Sequence, residues 1–149
     1  MIPSDKFYKT LIQLEGLKLQ AYLDSASIPT IGIGTIRYPD GQPVKMGDVC
    51  TEVQANEWAR YEAGKMAVKL DALVTDILQQ QFDALLLLMY NIGPSLAAST
   101  VLKVIKAKGT EDDIRKAWLM WNKAKVGGKL QPVQGLTNRR NTELKIFFS

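Results

Sequence analysis

The chain has 149 residues, 46% hydrophobic and 23% charged, which suits one compact domain, or one pinched into two lobes, with a core that needs no staples. Histidine is absent and Cys50 is the only cysteine, which excludes Ser-His-Asp and Cys-His catalysis, histidine-containing zinc motifs and any intrachain disulfide. The net charge of +4 is uneven: residues 1–100 carry 8 Lys/Arg against 11 Asp/Glu, a net of −3, and residues 101–149 carry 11 against 4, a net of +7.

In chain order, Ser4 or Asp5 can cap a first helix whose Phe7, Tyr8, Leu11, Ile12 and Leu14 fall at helical spacing, and Gly16 stops it. From Leu17 to about Val49 the pattern changes. β-type runs at Leu19–Leu23 and Thr30–Tyr38, broken by Pro29, Gly32, Gly34 and Pro39-Asp40-Gly41, predict a small antiparallel sheet. Thr51-Glu-Val-Gln54 reads as a capping box that opens a long helix. Thr75 or Asp76 then starts a helix closing at Gly93-Pro94, and its Leu85–Leu88 run, apolar on every side, marks it as buried. Ser99 or Thr100 caps a short helix ending near Gly109. Thr110 caps another, carrying Ile114, Trp118 and Trp121 and ending before Gly127-Gly128, and Thr137 begins the last. The fold class expected is α+β: a small N-terminal hairpin sheet joined by a long helix to a larger helical lobe, with lobes at about 1–72 and 73–149. No apolar run reaches the ~20 residues that span a bilayer, and residues 1–6 lack the apolar core of a signal peptide. The chain is therefore expected to accumulate in the cytoplasm.

Chemistry without histidine falls to carboxylates, and one segment concentrates them: Glu15 at a helix end, then Asp24 and Thr30 at the ends of two β-type runs. A helix end followed by a hairpin can set these side chains around one cleft. Glycosidic cleavage asks for two carboxyl groups in different environments, one protonated to donate to the leaving oxygen and one ionised. The partial negative charge of a helix C-terminus disfavours an ionised Glu15, whereas Asp24 lies in a hairpin with free backbone N–H groups. A Glu at a helix end and an Asp before a turn are also common structural choices.

Glu, eight residues, Asp, five residues, Thr and then Gly-x-Gly, standing here as Glu15, Asp24, Thr30, Gly32 and Gly34, resembles the catalytic motif of phage-type lysozymes, the endolysins of glycoside hydrolase family 24. The likeness runs on through Phe82–Gly93 with its Asn91-x-Gly ending, Ser99-Thr100-Val-Leu, Trp121 with Gly127-Gly128-Lys129, and Gly135 to Glu143. The resemblance implies a muramidase (EC 3.2.1.17) that hydrolyses the β-1,4 bond between N-acetylmuramic acid and N-acetylglucosamine in bacterial peptidoglycan and lyses the host. It further implies Glu15 as general acid, Asp24 with Thr30 positioning the attacking water, and inversion at the anomeric carbon. Arg139 matches a family arginine that approaches the catalytic Glu, so Arg139 and Asn91 are expected to bind substrate or orient the acid. No cofactor or metal is implied. A monomer is expected, held in the host cytoplasm until a membrane-permeabilising holin opens the way to the wall in the periplasm or envelope. Thr35 departs from the pattern, since some members carry His there.

Other signals are weaker. Gly32-x-Gly34 lacks the third glycine of a dinucleotide fingerprint and reads as a turn. Trp58, Trp118, Trp121, Met66, Met89 and Met120 are expected in the core, and Cys50 as a buried or half-buried small residue. The basic C-terminal portion points to a polyanion, which is either the bacterial envelope or, in a competing reading, nucleic acid; no nucleic-acid motif appears, and the tryptophans track the core stripe. A third reading keeps the fold as an inactive wall-binding or effector protein, against which the intact trio argues.

Overall fold

A computed structural model describes all of residues 1–149, which divide into two units, Ile2–Ala67 and Val68–Ser149 with Met1. In the first unit, Ser4 caps α1 (Asp5–Glu15) by accepting from the Phe7 N–H at 3.2 Å, and Asp5 meets the positive end of the helix. Phe7 and Leu11 bury one face of α1. Gly16 ends it at φ +77°, its N–H returning to the Ile12 carbonyl at 2.8 Å.

β1 (Lys18–Leu23) and β2 (Pro29–Gly32) form an antiparallel hairpin with Tyr22 opposite Thr30 and Leu23 opposite Pro29. The far edge of β1 is covered by residues 48–50, through Ala21 N–H to the Asp48 carbonyl and Cys50 N–H to the Leu19 carbonyl, both 2.9 Å. The second β run, expected to Tyr38, is a strand only to Gly32. Gly32 and Gly34 both take positive φ and turn the chain over, so Ile31 and Thr35 exchange two backbone hydrogen bonds of 2.9 Å. The capping box before α2 (Glu52–Leu73) forms as the sequence predicts, with Thr51 N–H to Gln54 Oε1 at 3.0 Å and Gln54 N–H to Thr51 Oγ1 at 3.1 Å. The buried face of α2 is a row of alanines four apart, Ala55, Ala59, Ala63 and Ala67, the spacing that places residues on one helical stripe. The division between units falls within this helix.

In the second unit, α3 spans Gln79–Ile92 and starts later than the expected Thr75 or Asp76. Asp76 sits at φ +57°, outside helical geometry, and the Gln81 side chain accepts from the Leu78 N–H at 2.8 Å instead. Every residue from Phe82 to Met89 is buried, and each fully buried leucine contributes about 1.5–3 kcal/mol. A 3₁₀ segment at Gly93–Ala98 follows, then α4 (Thr100–Lys106) capped by Ser99 and α5 (Glu111–Leu119) capped by Thr110. α5 stops earlier than expected. Its buried stripe is Ile114, Ala117 and Trp118, so Met120 falls off it and is exposed rather than core, while Trp121 is half-buried.

The segment after α5 corrects the sequence reading most. Lys123–Val126 (β3) and Lys129–Pro132 (β4) pair antiparallel about Gly127-Gly128, a second hairpin where only a helix end and loop were expected. Two glycines at positive φ fit a two-residue hairpin turn. α6 begins at Gln134, ahead of Thr137, and runs to Phe147, packing against α3 and α5. No single helix is long and apolar enough to cross a membrane.

Candidate active site

The carboxyl of Glu15 is held by the shape of the turn that follows β2. A Cβ placed on Gly34 would stand 2.7 Å from Glu15 Oε2 and 3.0 Å from its Cδ, and Gly34 is at φ +70°. Only glycine meets both demands. Gly32, at φ +65°, leaves the same kind of room for Ala55 of α2, whose Cβ lies 3.1 Å from the built position. The Gly-x-Gly pair therefore fixes a turn between Glu15 and α2. Between its two glycines Ile33 is buried, and just beyond it Thr35 is buried with a hydroxyl that has no hydrogen-bond partner.

Asp24 and Thr30 are tied together by one residue, Ile28. Asp24 Oδ1 accepts from the N–H groups of Ala26 at 2.8 Å and Ile28 at 2.9 Å, while the Asp24 N–H donates to the Ile28 carbonyl at 3.0 Å. Thr30 Oγ1 donates to the same carbonyl at 2.8 Å and is buried. The two backbone donors fix the orientation of the carboxylate through one oxygen, and the second, Oδ2, stays open. With its proton committed to Ile28, the Thr30 hydroxyl is left to accept.

Tyr22 escaped the sequence reading and joins the set. Burial raises the pKa of its phenol above the ordinary value of 10, and the negative charges of Glu15 and Asp24 push it further. The Tyr22 hydroxyl is thus a neutral donor within reach of both carboxylates' fields. Its signal was latent: it stands two residues before Asp24, and the hairpin register puts it across from Thr30.

Within the helical unit, Arg139 and Asn91 join a cluster built around Glu143 and Arg140. Glu143 Oε1 accepts from Arg139 Nε at 3.2 Å and Arg140 Nη2 at 2.8 Å, and its Oε2 from Trp118 Nε1 at 2.8 Å. Arg140 also reaches Asn91 Oδ1 at 2.8 Å and the Trp121 carbonyl at 3.1 Å, and Arg139 the Leu87 carbonyl at 3.2 Å. Arg139, Arg140 and Glu143 are all buried. An open groove of about 540 Å³ lies elsewhere in the first unit, lined by Tyr38, Asp48, Gln54 and Trp58 among others, and contains none of the expected site residues.

The phage lysozyme family model matches residues 12–143. The chain belongs to the phage lysozyme family. It is 36% identical to the endolysin of Salmonella phage P22, over 91% of this chain and 90% of that one. It is 34% identical to the SAR-endolysin of Pseudomonas phage phiKMV, over 91% of this chain and 81% of its relative. Among solved structures it is similar to an endolysin from Escherichia coli O157:H7 phage FAHEc1, with 40% identity, a TM-score of 0.90 and coverage of 100% of this chain and 94% of that chain. The α+β lysozyme-like architecture expected from the sequence holds, and the protein is a lysozyme-type glycosidase of the endolysin group.

Proposed function

We propose that this phage lysozyme cleaves the β-1,4 bond between N-acetylmuramic acid and N-acetylglucosamine in bacterial peptidoglycan. Glu15 donates its proton to the leaving glycosidic oxygen. Asp24, through Oδ2, takes the proton of a water that Thr30 Oγ1 also holds, and that water attacks the anomeric carbon. The bond to the leaving sugar breaks as the bond to water oxygen forms, so one reducing end appears per water consumed. The observation carrying this reading is the Ile28 clamp: it uses Asp24 Oδ1 and the Thr30 proton, and leaves Asp24 Oδ2 and the Thr30 lone pairs available together. Attack by water opposite the leaving group inverts the anomeric carbon. Tyr22 adds a neutral donor in the field of both carboxyl groups.

Mass spectrometry of digested peptidoglycan tests the bond. Reducing muramic-acid ends are expected; anhydro ends or free peptides would overturn the reading. Glu15→Gln, which cannot donate the proton, should lower turnover about 10²–10⁴-fold with the thermal midpoint unchanged. Lysis within a factor of two of the parent would remove Glu15 from the role. The protein acts as a monomer on the glycan strands, reaching them from the host cytoplasm once a holin permeabilises the membrane. Lysis by this chain expressed alone, with the inner membrane intact, would overturn that route.

A further inference from the structure

The β3–β4 hairpin carries charge that no carboxylate answers. Between Asp113 and Glu143 the sequence has no acidic residue but seven Lys and Arg. Four of these are ion-paired: Arg115 with Glu111, Lys116 with Asp112, and Arg139 and Arg140 with Glu143. The remaining three, Lys123, Lys125 and Lys129, all stand exposed on the hairpin strands. Lys123 Nζ meets only neutral oxygens, the Met120 carbonyl at 3.3 Å and Asn122 Oδ1 at 3.4 Å.

The same element also exposes aliphatic side chains at its tip, Val126 at 49% and Leu130 at 67%. The register pairs Lys125 with Leu130 and Val126 with Lys129, so each face presents a lysine beside an aliphatic chain. A two-stranded hairpin with both faces in water is marginal by itself, and Val126 and Leu130 gain little from packing within it.

We propose that this hairpin docks on an anionic lipid surface. Val126, Gly127-Gly128 and Leu130 enter the boundary between headgroups and acyl chains, while the three ammonium groups meet lipid phosphates. Acidic polymers and nucleic acids would be served by the lysines alone; the aliphatic tip is what selects lipid. The lysines of α4 are a poorer match. Lys103 and Lys106 lie in its last turn, where cations complement the helix end, and no large exposed aliphatic residue stands between Val101 and Lys108.

The test uses the full-length Glu15→Gln protein, so that glycan chemistry plays no part, sedimented with phosphatidylcholine vesicles of which a third is phosphatidylglycerol. Binding to these and weak binding to pure phosphatidylcholine are expected. Replacing Lys123, Lys125 and Lys129 together by Gln should lower partitioning roughly 100-fold, at about fivefold per lysine near the surface. Val126→Ser with Leu130→Ser should lower it about tenfold at unchanged charge. The same three-charge loss in and just after α4, at Lys103, Lys106 and Lys108, should change it only a few-fold. Equal binding to both vesicles overturns the proposal. So does a serine pair that binds like the parent, which would assign the lysines to an acidic polymer, or an α4 triple that loses as much as the hairpin triple. All exchanged hairpin residues are exposed, so the circular dichroism spectrum should stay that of the parent.

Discussion

Glu143 and Asp24 are both carboxylates held by several donors, yet the two are held differently. Glu143 has both oxygens filled, by two guanidinium groups and an indole N–H, and is buried in the helical unit. Its full burial pushes the pKa up, against the pull of Arg140, Trp118 and Arg139. Asp24 has one oxygen fixed by two backbone N–H groups and the other open. A saturated carboxylate can only hold structure together, whereas a half-saturated one is oriented and still has somewhere to put a proton. Asp48 limits the lesson. Its Oδ2 accepts from the Tyr38 hydroxyl at 2.7 Å and the Lys45 N–H at 3.0 Å, with Oδ1 open, and it lines the Tyr38–Trp58 groove. An open oxygen becomes a chemical proposal only beside partners such as Thr30, Tyr22 and Glu15.

Asp24→Asn should break the comparison most visibly. The carboxamide oxygen can keep both backbone hydrogen bonds, so the thermal midpoint should stay within a few degrees, while wall hydrolysis should fall about 10²–10⁴-fold for lack of a base. A turbidity assay with a melting curve reads both; unimpaired lysis would return Asp24 to a structural role. Glu143→Ala is the mirror case. It strands two buried guanidinium groups and should lower stability by about 3–5 kcal/mol in urea titration. A loss under 1 kcal/mol would mean that the helical unit does not depend on the cluster.

Gly34→Ala separates positioning from chemistry. It asks an alanine to hold φ +70° and to displace the Glu15 carboxyl, which should destabilise by about 1–3 kcal/mol and lower turnover although no reacting group is altered. Gly41→Ala is the control, with φ +88° and nothing within 4 Å of the added carbon: strain alone, with turnover unchanged. If both variants lose turnover equally, the close approach to Glu15 is irrelevant.

The smallest effect concerns the third carboxylate. The Tyr38 hydroxyl and the Lys45 N–H hold Asp48 below the ordinary carboxylate pKa, and burial with the Asp48 bond raises that of Tyr38. A lowered carboxylate pKa contributes stability above its unfolded value that is lost as pH falls through the folded one. A raised phenol pKa contributes stability that is present below about 10 and lost as pH rises through the folded value. The urea midpoint of Tyr38→Phe should therefore lag the parent at neutral pH, by a gap that narrows as pH falls below the ordinary carboxylate range. A constant gap across that range would leave the hydrogen bond without a role in the titration.

How much of this was legible depended on how local each cause was. Ser4, Thr51, Ser99 and Thr110 announce their helices because capping is decided within four residues. The apolar run at Leu85–Leu88 announces burial for the same reason. Glu15, Asp24 and Thr30 could be picked out by spacing and family likeness, but Tyr22 needed the register, which only the folded hairpin supplies. Lys-Ala-Lys-Val is a poor strand by propensity, so β3 was invisible although Gly127-Gly128 marked a turn. Arg139 was expected to bind substrate or orient the acid, and nothing near it in the sequence marks it and Arg140 as buried. Their burial depends on Glu143 along the same helix and, for Arg140, on Asn91 and Trp121 from other elements.

Cys50 gives the β1 edge a built-in reporter. It is the chain's only thiol, half-buried, with Sγ 3.8 Å from the Lys18 carbonyl and a pKa raised by burial. Thiol reagents attack the thiolate, so alkylation of the native protein should be slow and should proceed through openings that peel residues 48–50 from β1. Because this strand leads directly to Asp24, the alkylation rate at increasing denaturant would time the breathing of the hairpin that carries Asp24 and Thr30 separately from global unfolding, with no engineered label.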